Sequence, residues 1–195
     1  MKETVSRRQV LKRVSYIMGG TLAAPTVLGL MQGCAAEPGV TWMPAFFSED
    51  QARTITKLAD IILPASDTPA ASELGVPKFV EDMVNLVAKE EDKARFMELF
   101  AAFEEECNTR YGSNFGSMGD DEQLKFFAEK HSEIEGKRDL PADQRPFVWF
   151  VKEAVVAGYF TTEVGMTQIM QYIAIPAEYK ACISVEEAGG RTWAT

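Results

Sequence analysis

Apolar residues recur at helical spacing through most of the chain after residue 48, and no convincing run of period-two alternation interrupts them. Ser48-Glu49-Asp50-Gln51 has the form of a capping box, with Ser48 as N-cap and Gln51 reaching back. Ala52, Ile55, Ala59 and Ile62 then make one helical face, and the helix should stop before Pro64. Residues 64–72 carry two prolines and read as a loop. Pro77 suits a first helical turn, with Phe79, Val80, Met83, Val84 and Val87 on the apolar face. A third helix is expected over roughly 91–107, lined by Phe96, Leu99, Phe100, Phe103 and Cys107. The glycine-rich stretch from Tyr111 to Gly119 reads as a loop. Asp120 and Gln123 start a fourth helix, which carries Leu124, Phe127 and Ala128. After a polar connection, Asp143–Gly158 reads as a strongly apolar helix, and Thr161 as the cap of a short one through Ile169. Beyond Pro176 the signals fade. The pattern predicts an all-α fold, a single compact domain of five or six helices.

Charge changes the picture at the N-terminus. The 195 residues carry a net charge of −9, yet Lys2, Arg7, Arg8, Lys12 and Arg13 are basic and Glu3 is the one acid before residue 37. From Cys34 onward 15 basic residues face 28 acidic ones, a net −13. Arg7-Arg8, followed by apolar residues, matches a twin-arginine export signal, and the moderately apolar stretch Val14–Met31 completes it. Gly33-Cys34 fits a lipidation site, whose thiol would carry acyl chains holding the domain on a membrane. Simple cleavage at Ala35 or Ala36 and an uncleaved N-terminal anchor are the alternatives. The expected organisation is a signal peptide over 1–33, a tether over 34–47, a helical domain over 48–183 and a tail over 184–195. The expected location is the periplasm, membrane-anchored through Cys34.

So acidic a body repels phosphate backbones, which argues against nucleic acid as a partner. No glycine-rich dinucleotide fingerprint follows a strand, and neither a P-loop nor a Cys-x-x-Cys-His is present. The chain is expected to hold no cofactor, no metal and no catalytic residue of its own. Cys107, Cys182 and His131 are too scattered to suggest zinc, and His131 reads as a helix-end residue. Cys107 and Cys182 form an even pair that a disulfide could join, with a buried free Cys107 as the alternative. Glu81-Asp82, Glu90 to Asp92 and Glu104 to Glu106 read as solvated helix faces, and the clustered phenylalanines as core. Gly158-Tyr159-Phe160-Thr161-Thr162-Glu163-Val164-Gly165, running on to Tyr172, Ile175, Pro176, Tyr179 and Cys182, suits a docking surface; an internal corner is the competing reading.

Three places carry a resemblance. They are the Arg7-Arg8 leader; Ala59-Asp60-Ile61-Ile62-Leu63-Pro64 with Asp67-Thr68-Pro69-Ala70 and Gly75-Val76-Pro77-Lys78-Phe79-Val80; and Gly158 to Gly165 with Tyr172 and Pro176. In their order and spacing the chain resembles the gluconate 2-dehydrogenase subunit 3 family, over roughly residues 46–183. Cys34 departs from the family's usual leaders. The resemblance implies a non-catalytic accessory subunit of a membrane-associated dehydrogenase. FAD would lie in a large subunit of the glucose–methanol–choline oxidoreductase type that oxidises a sugar, sugar acid or glucoside. A cytochrome c subunit, where present, would carry haem and pass electrons on. The small subunit would aid folding of its partner and export it. Its interface is expected at Pro64, Asp67, Thr68 and Pro69 and at Tyr159, Phe160, Thr161, Thr162 and Glu163. A stand-alone lipoprotein binding a periplasmic ligand or partner, and a small enzyme using Asp67, Glu163 or His131, are the other readings.

Overall fold

The Ser48 side chain accepts a hydrogen bond from the Gln51 backbone, and Gln51 reciprocates on the Ser48 N–H, so the expected capping box opens α1, Glu49–Ile62. This is seen in a computed structural model that describes residues 42–137, 140–175, 182–187 and 189–194. The export signal with Arg7 and Arg8, the lipidation site at Cys34, and Pro176 and Tyr179 lie outside the described residues. All described residues belong to one unit, Val40–Thr195.

A short 3₁₀ turn, Ser72–Leu74, leads into α2, Val76–Asp82, which a π-helical turn extends over Met83–Val87. The long α3 covers Glu90–Tyr111 and ends at Gly112, whose φ of 74° is left-handed. After a turn at Phe115–Ser117 comes α4, Asp120–Ser132. A turn at Ala142–Gln144 precedes α5, Phe147–Phe160, and a second π-helical turn spans Gly165–Ile169. Among the described residues there is no strand, only an isolated pairing of Gln171 with Trp193. The all-α expectation holds, with five α-helices among those residues. None is long and apolar enough to cross a membrane.

Helix α5 is apolar nearly all round, and such a helix must be covered on several sides. It packs against α1, α2, α3 and α4. Phe147 at its start stacks on Phe100 with ring centroids 4.6 Å apart and meets Phe103 at 4.9 Å. Phe47, Phe96, Phe115 and Phe126 extend this cluster, so most of the phenylalanines flagged in the sequence are indeed core. Each well-placed ring pair contributes on the order of 1 kcal/mol beyond its buried area.

Several boundaries and faces differ from the sequence reading, among them the start of α5, which lies at Phe147 and not at Asp143. Helix α3 runs past residue 107, because Arg110 forms a bidentate pair with Glu129 of α4 and also binds Glu106, which fixes the last turn. Helix α4 turns Gln123 and Phe126 inward and leaves Leu124 and Ala128 exposed. Gln123 stays buried because its amide donates to the Phe115 and Met118 carbonyls. Helix α2 buries Val76, Pro77, Val80, Glu81 and Val84, and exposes Met83 and Val87. The end of the expected tether belongs to the folded body: Phe47 is core, and Trp42 and Phe46 pack against it.

Candidate functional site

Glu81 explains both of the last two differences. One carboxylate oxygen accepts backbone N–H groups from Ala45, Phe46 and Phe47 at 3.0, 2.8 and 2.8 Å, and the other accepts Trp42 Nε1 at 3.1 Å. Burial acts to raise this carboxyl's pKa. The donors at Phe47, Phe46, Trp42 and Ala45 together outweigh it and hold the group below its ordinary value. A residue read as part of a solvated face is therefore the clasp between the 42–47 segment and α2. The signal in the sequence was its spacing, one turn from Pro77 and next to Val80, on the face that faces inward.

Glu104 is a second such clasp. It accepts the Thr54 hydroxyl and the Phe115 N–H, while Thr54 Oγ1 accepts from Gly116 N–H at 3.1 Å. Burial raises its pKa, the neighbouring charge of Asp50 adds to this, and the two hydrogen bonds only partly offset them. Asp60 holds the loop after α1, accepting the Ser72 N–H and hydroxyl at 2.9 and 2.8 Å.

The residues expected at a partner interface form a corner. Tyr159 is 2% exposed, and its hydroxyl lies 2.8 Å from the Pro69 carbonyl oxygen, to which it donates, and 2.8 Å from Thr68 Oγ1. Its ring is thus part of the interior, where it pins the proline loop to α5. Gly158 sits against Phe79 of α2: a Cβ there would lie 2.6 Å from the ring. Gly165 sits against the Tyr159 carbonyl and the Phe160 backbone with no room for a side chain. Thr162, rather than Thr161, caps the short turn, its hydroxyl accepting the Gly165 N–H. The segments containing Pro64 to Ala70, Gly75 to Val80 and Gly158 to Gly165 are thereby drawn together. Pro64, Asp67, Thr161 and Glu163 are exposed on this corner, and Thr68, Pro69, Phe160 and Thr162 are half-buried.

Cys107 and Cys182 are both free, one buried and one exposed, so the disulfide considered in the sequence is not formed. Burial, with help from Glu104 and Glu106, pushes the Cys107 thiol up to about 12, which leaves it inert. His131 ends α4, stacks on Phe127, and lies 2.6 Å from Lys152 Nζ. A cavity of about 690 Å³ opens beside this pair, walled by Ile134, Trp149, Val156 and Ala157. Glu135, Lys137, Lys152 and Glu153 bring charged groups to its lining, and no hydroxyl or thiol lines it. Among the described residues no group of three or more His, Cys, Asp or Glu side chains is arranged to hold a metal ion.

No curated protein and no solved structure shows significant similarity to the chain. The family model described as gluconate 2-dehydrogenase subunit 3 matches residues 49–177, well over half of the chain and nearly all of its helical body. That span contains all three segments of the Tyr159 corner, and on this ground the chain belongs to the gluconate 2-dehydrogenase subunit 3 family.

Proposed function

We propose that this chain is the non-catalytic small subunit of a periplasmic, membrane-associated dehydrogenase that oxidises a sugar, sugar acid or glucoside with FAD. In this reading FAD sits in a large subunit of the glucose–methanol–choline oxidoreductase type, and a cytochrome c subunit, where present, takes the electrons. The small subunit aids folding of the flavoprotein and brings it through the twin-arginine route on its own signal at Arg7-Arg8. Cys34, once acylated, keeps the pair on the membrane. The family match over residues 49–177 is the observation that carries the reading. The use made of the buried polar groups supports it. Glu81, Gln123 and Tyr159 all bind the chain's own backbone, and Thr54 links Glu104 to it. Such groups hold a shape for another protein to use.

The test is affinity purification of the tagged full-length chain from detergent-solubilised membranes of the native host. The expected result is co-purification of a large subunit that carries the flavin absorbance and the sugar-oxidising activity. Recovery of the chain as a colourless monomer, or turnover by the chain alone, would remove the reading.

A further inference from the structure

The cavity beside His131 is built from two pieces of the fold. Trp149, Lys152, Glu153, Val156 and Ala157 follow one another at three- and four-residue steps, so a single stripe of α5 makes one wall. His131 at the end of α4, with Ile134 and the residues that follow it to Lys137, makes the other. The space of about 690 Å³ falls within the range of about 300–1,000 Å³ found for small-molecule pockets. Ile134, Trp149, Val156 and Ala157 make its walls mostly apolar.

Lys152 gives this cavity a cationic end that the chain itself leaves uncompensated. Four lysines among the described residues are half-buried: Lys57, Lys93, Lys130 and Lys152. Lys57 binds Asp120, Lys93 binds Glu90 and Lys130 binds Glu106, at 3.3, 3.1 and 2.7 Å. Lys152 has no carboxylate at ion-pair distance among the described residues, and its Nζ lies 2.6 Å from His131 Nε2. Two protonated groups would repel at that distance, so the ammonium donates and the neutral ring accepts. Two of the three ammonium protons are left for an acceptor. The acids in the lining do not supply it: Glu153 turns to Arg145 at 3.7 Å, and Glu135 is exposed. Lys137, also exposed, adds a second positive charge to the lining. We propose that this cavity binds a small organic anion with an apolar body, its carboxylate on Lys152 and its hydrocarbon part against Ile134, Trp149 and Val156. A charge-assisted hydrogen bond at one end and apolar burial along the rest are what such a molecule needs. A sugar acid does not suit it, because hydroxyls set against Ile134 and Val156 would lose their hydrogen bonds to water without replacement. The ligand is thus of a different class from the substrates in the proposed function, and the inference stands without that reading.

The experiment uses the full-length chain carrying Cys34→Ala, purified without detergent, and follows its indole N–H signals by NMR as octanoate is added. The chain has three tryptophans, and Trp149→Phe identifies the signal of Trp149. Trp149 Nε1 is buried with no hydrogen-bond partner among the described residues, so its signal answers to what settles against its ring. Octanoate should shift that signal saturably and leave those of Trp42 and Trp193 in place. Octanol should bind at least about ten-fold more weakly, and gluconate should shift nothing. Lys152→Met should weaken octanoate about ten-fold or more, as loss of a hydrogen bond to a charged group does, while Lys152→Arg should keep most of the affinity. Lys125→Met, on the exposed side of α4, should change nothing. The absence of a saturable Trp149 shift in the millimolar range overturns the site, and so does octanol binding as tightly as octanoate. Equal shifts of all three indoles would show detergent-like binding only and overturn it too. If Lys152→Met loses the wild-type circular dichroism, the comparison of octanoate with octanol on the parent chain decides alone. None of these outcomes touches the flavoprotein partnership, which co-purification tests.

Discussion

A buried carboxylate is stable only if its charge is met by donors, and Glu81 meets four, three of them backbone N–H groups that would otherwise lack partners. Its carboxyl titrates below the ordinary value of 4.5 because those donors outweigh burial. A carboxyl depressed in the fold adds stability that is fully present above its unfolded pKa and is lost as pH falls through the folded value. Glu81→Gln should therefore cost about 2–3 kcal/mol at neutral pH, since the amide turns a donor toward one of the N–H groups. The gap from wild type should narrow as urea denaturation is repeated below about pH 4.5. A gap that stays constant into acid would show that the charge is not what holds the 42–47 segment. Glu104 works in the opposite sense. Its raised pKa gives stability that is present below the unfolded value and declines as pH rises through the folded one, so Glu104→Gln should flatten that decline. Cys107 gives a third test. In a Cys34→Ala chain, Ellman's reagent should titrate one thiol, Cys182, in the native state and a second only after unfolding. No reactive thiol under either condition would point to a disulfide instead.

The elements meet at two junctions of different kinds. Between α3 and α4 the fasteners are ionic: Glu106, Arg110, Glu129, Lys130 and Glu133 form a surface network, with Arg110 also over the Phe126 ring. Exposed pairs of this type are worth a few tenths of a kcal/mol each and fade with salt. At the corner of α5 the fastener is packing. Tyr159→Phe should cost about 1 kcal/mol by removing the bond to Pro69, whereas Gly158→Ala should cost about 1–3 kcal/mol by driving a methyl into Phe79. If chemical denaturation ranks the two the other way, the close approach of α2 and α5 is not the constraint. These junctions also show what the sequence could reveal. Helical spacing and the Ser48 cap made α1 and α5 legible, because apolar period and capping chemistry are local. The inward faces of α2 and α4 were not, because Glu81 and Gln123 are polar by composition and are buried only through partners 34 and 8 residues away. Tyr159 was legible as special but not as buried, since a ring beside glycines and threonines suits a corner and a surface equally well.

At the scale of the whole molecule, the proposed function sets an export signal suited to folded cargo before a helical body that spends its buried polar groups on its own shape. A twin-arginine route is needed only if something must fold before it crosses, and in the proposed function that something is the flavoprotein, whose FAD is acquired before export. The signal then has a consequence for both chains. Replacing Arg7 and Arg8 with Lys keeps the charge of the leader but removes the paired guanidinium groups that the pattern requires. Fractionation of such a strain should find both this chain and the flavin subunit in the cytoplasm, still associated, because the folded body is unaltered. Export of the flavoprotein in that strain at the wild-type level would mean that it travels on a signal of its own, and the small subunit would then be a partner after export and not the carrier.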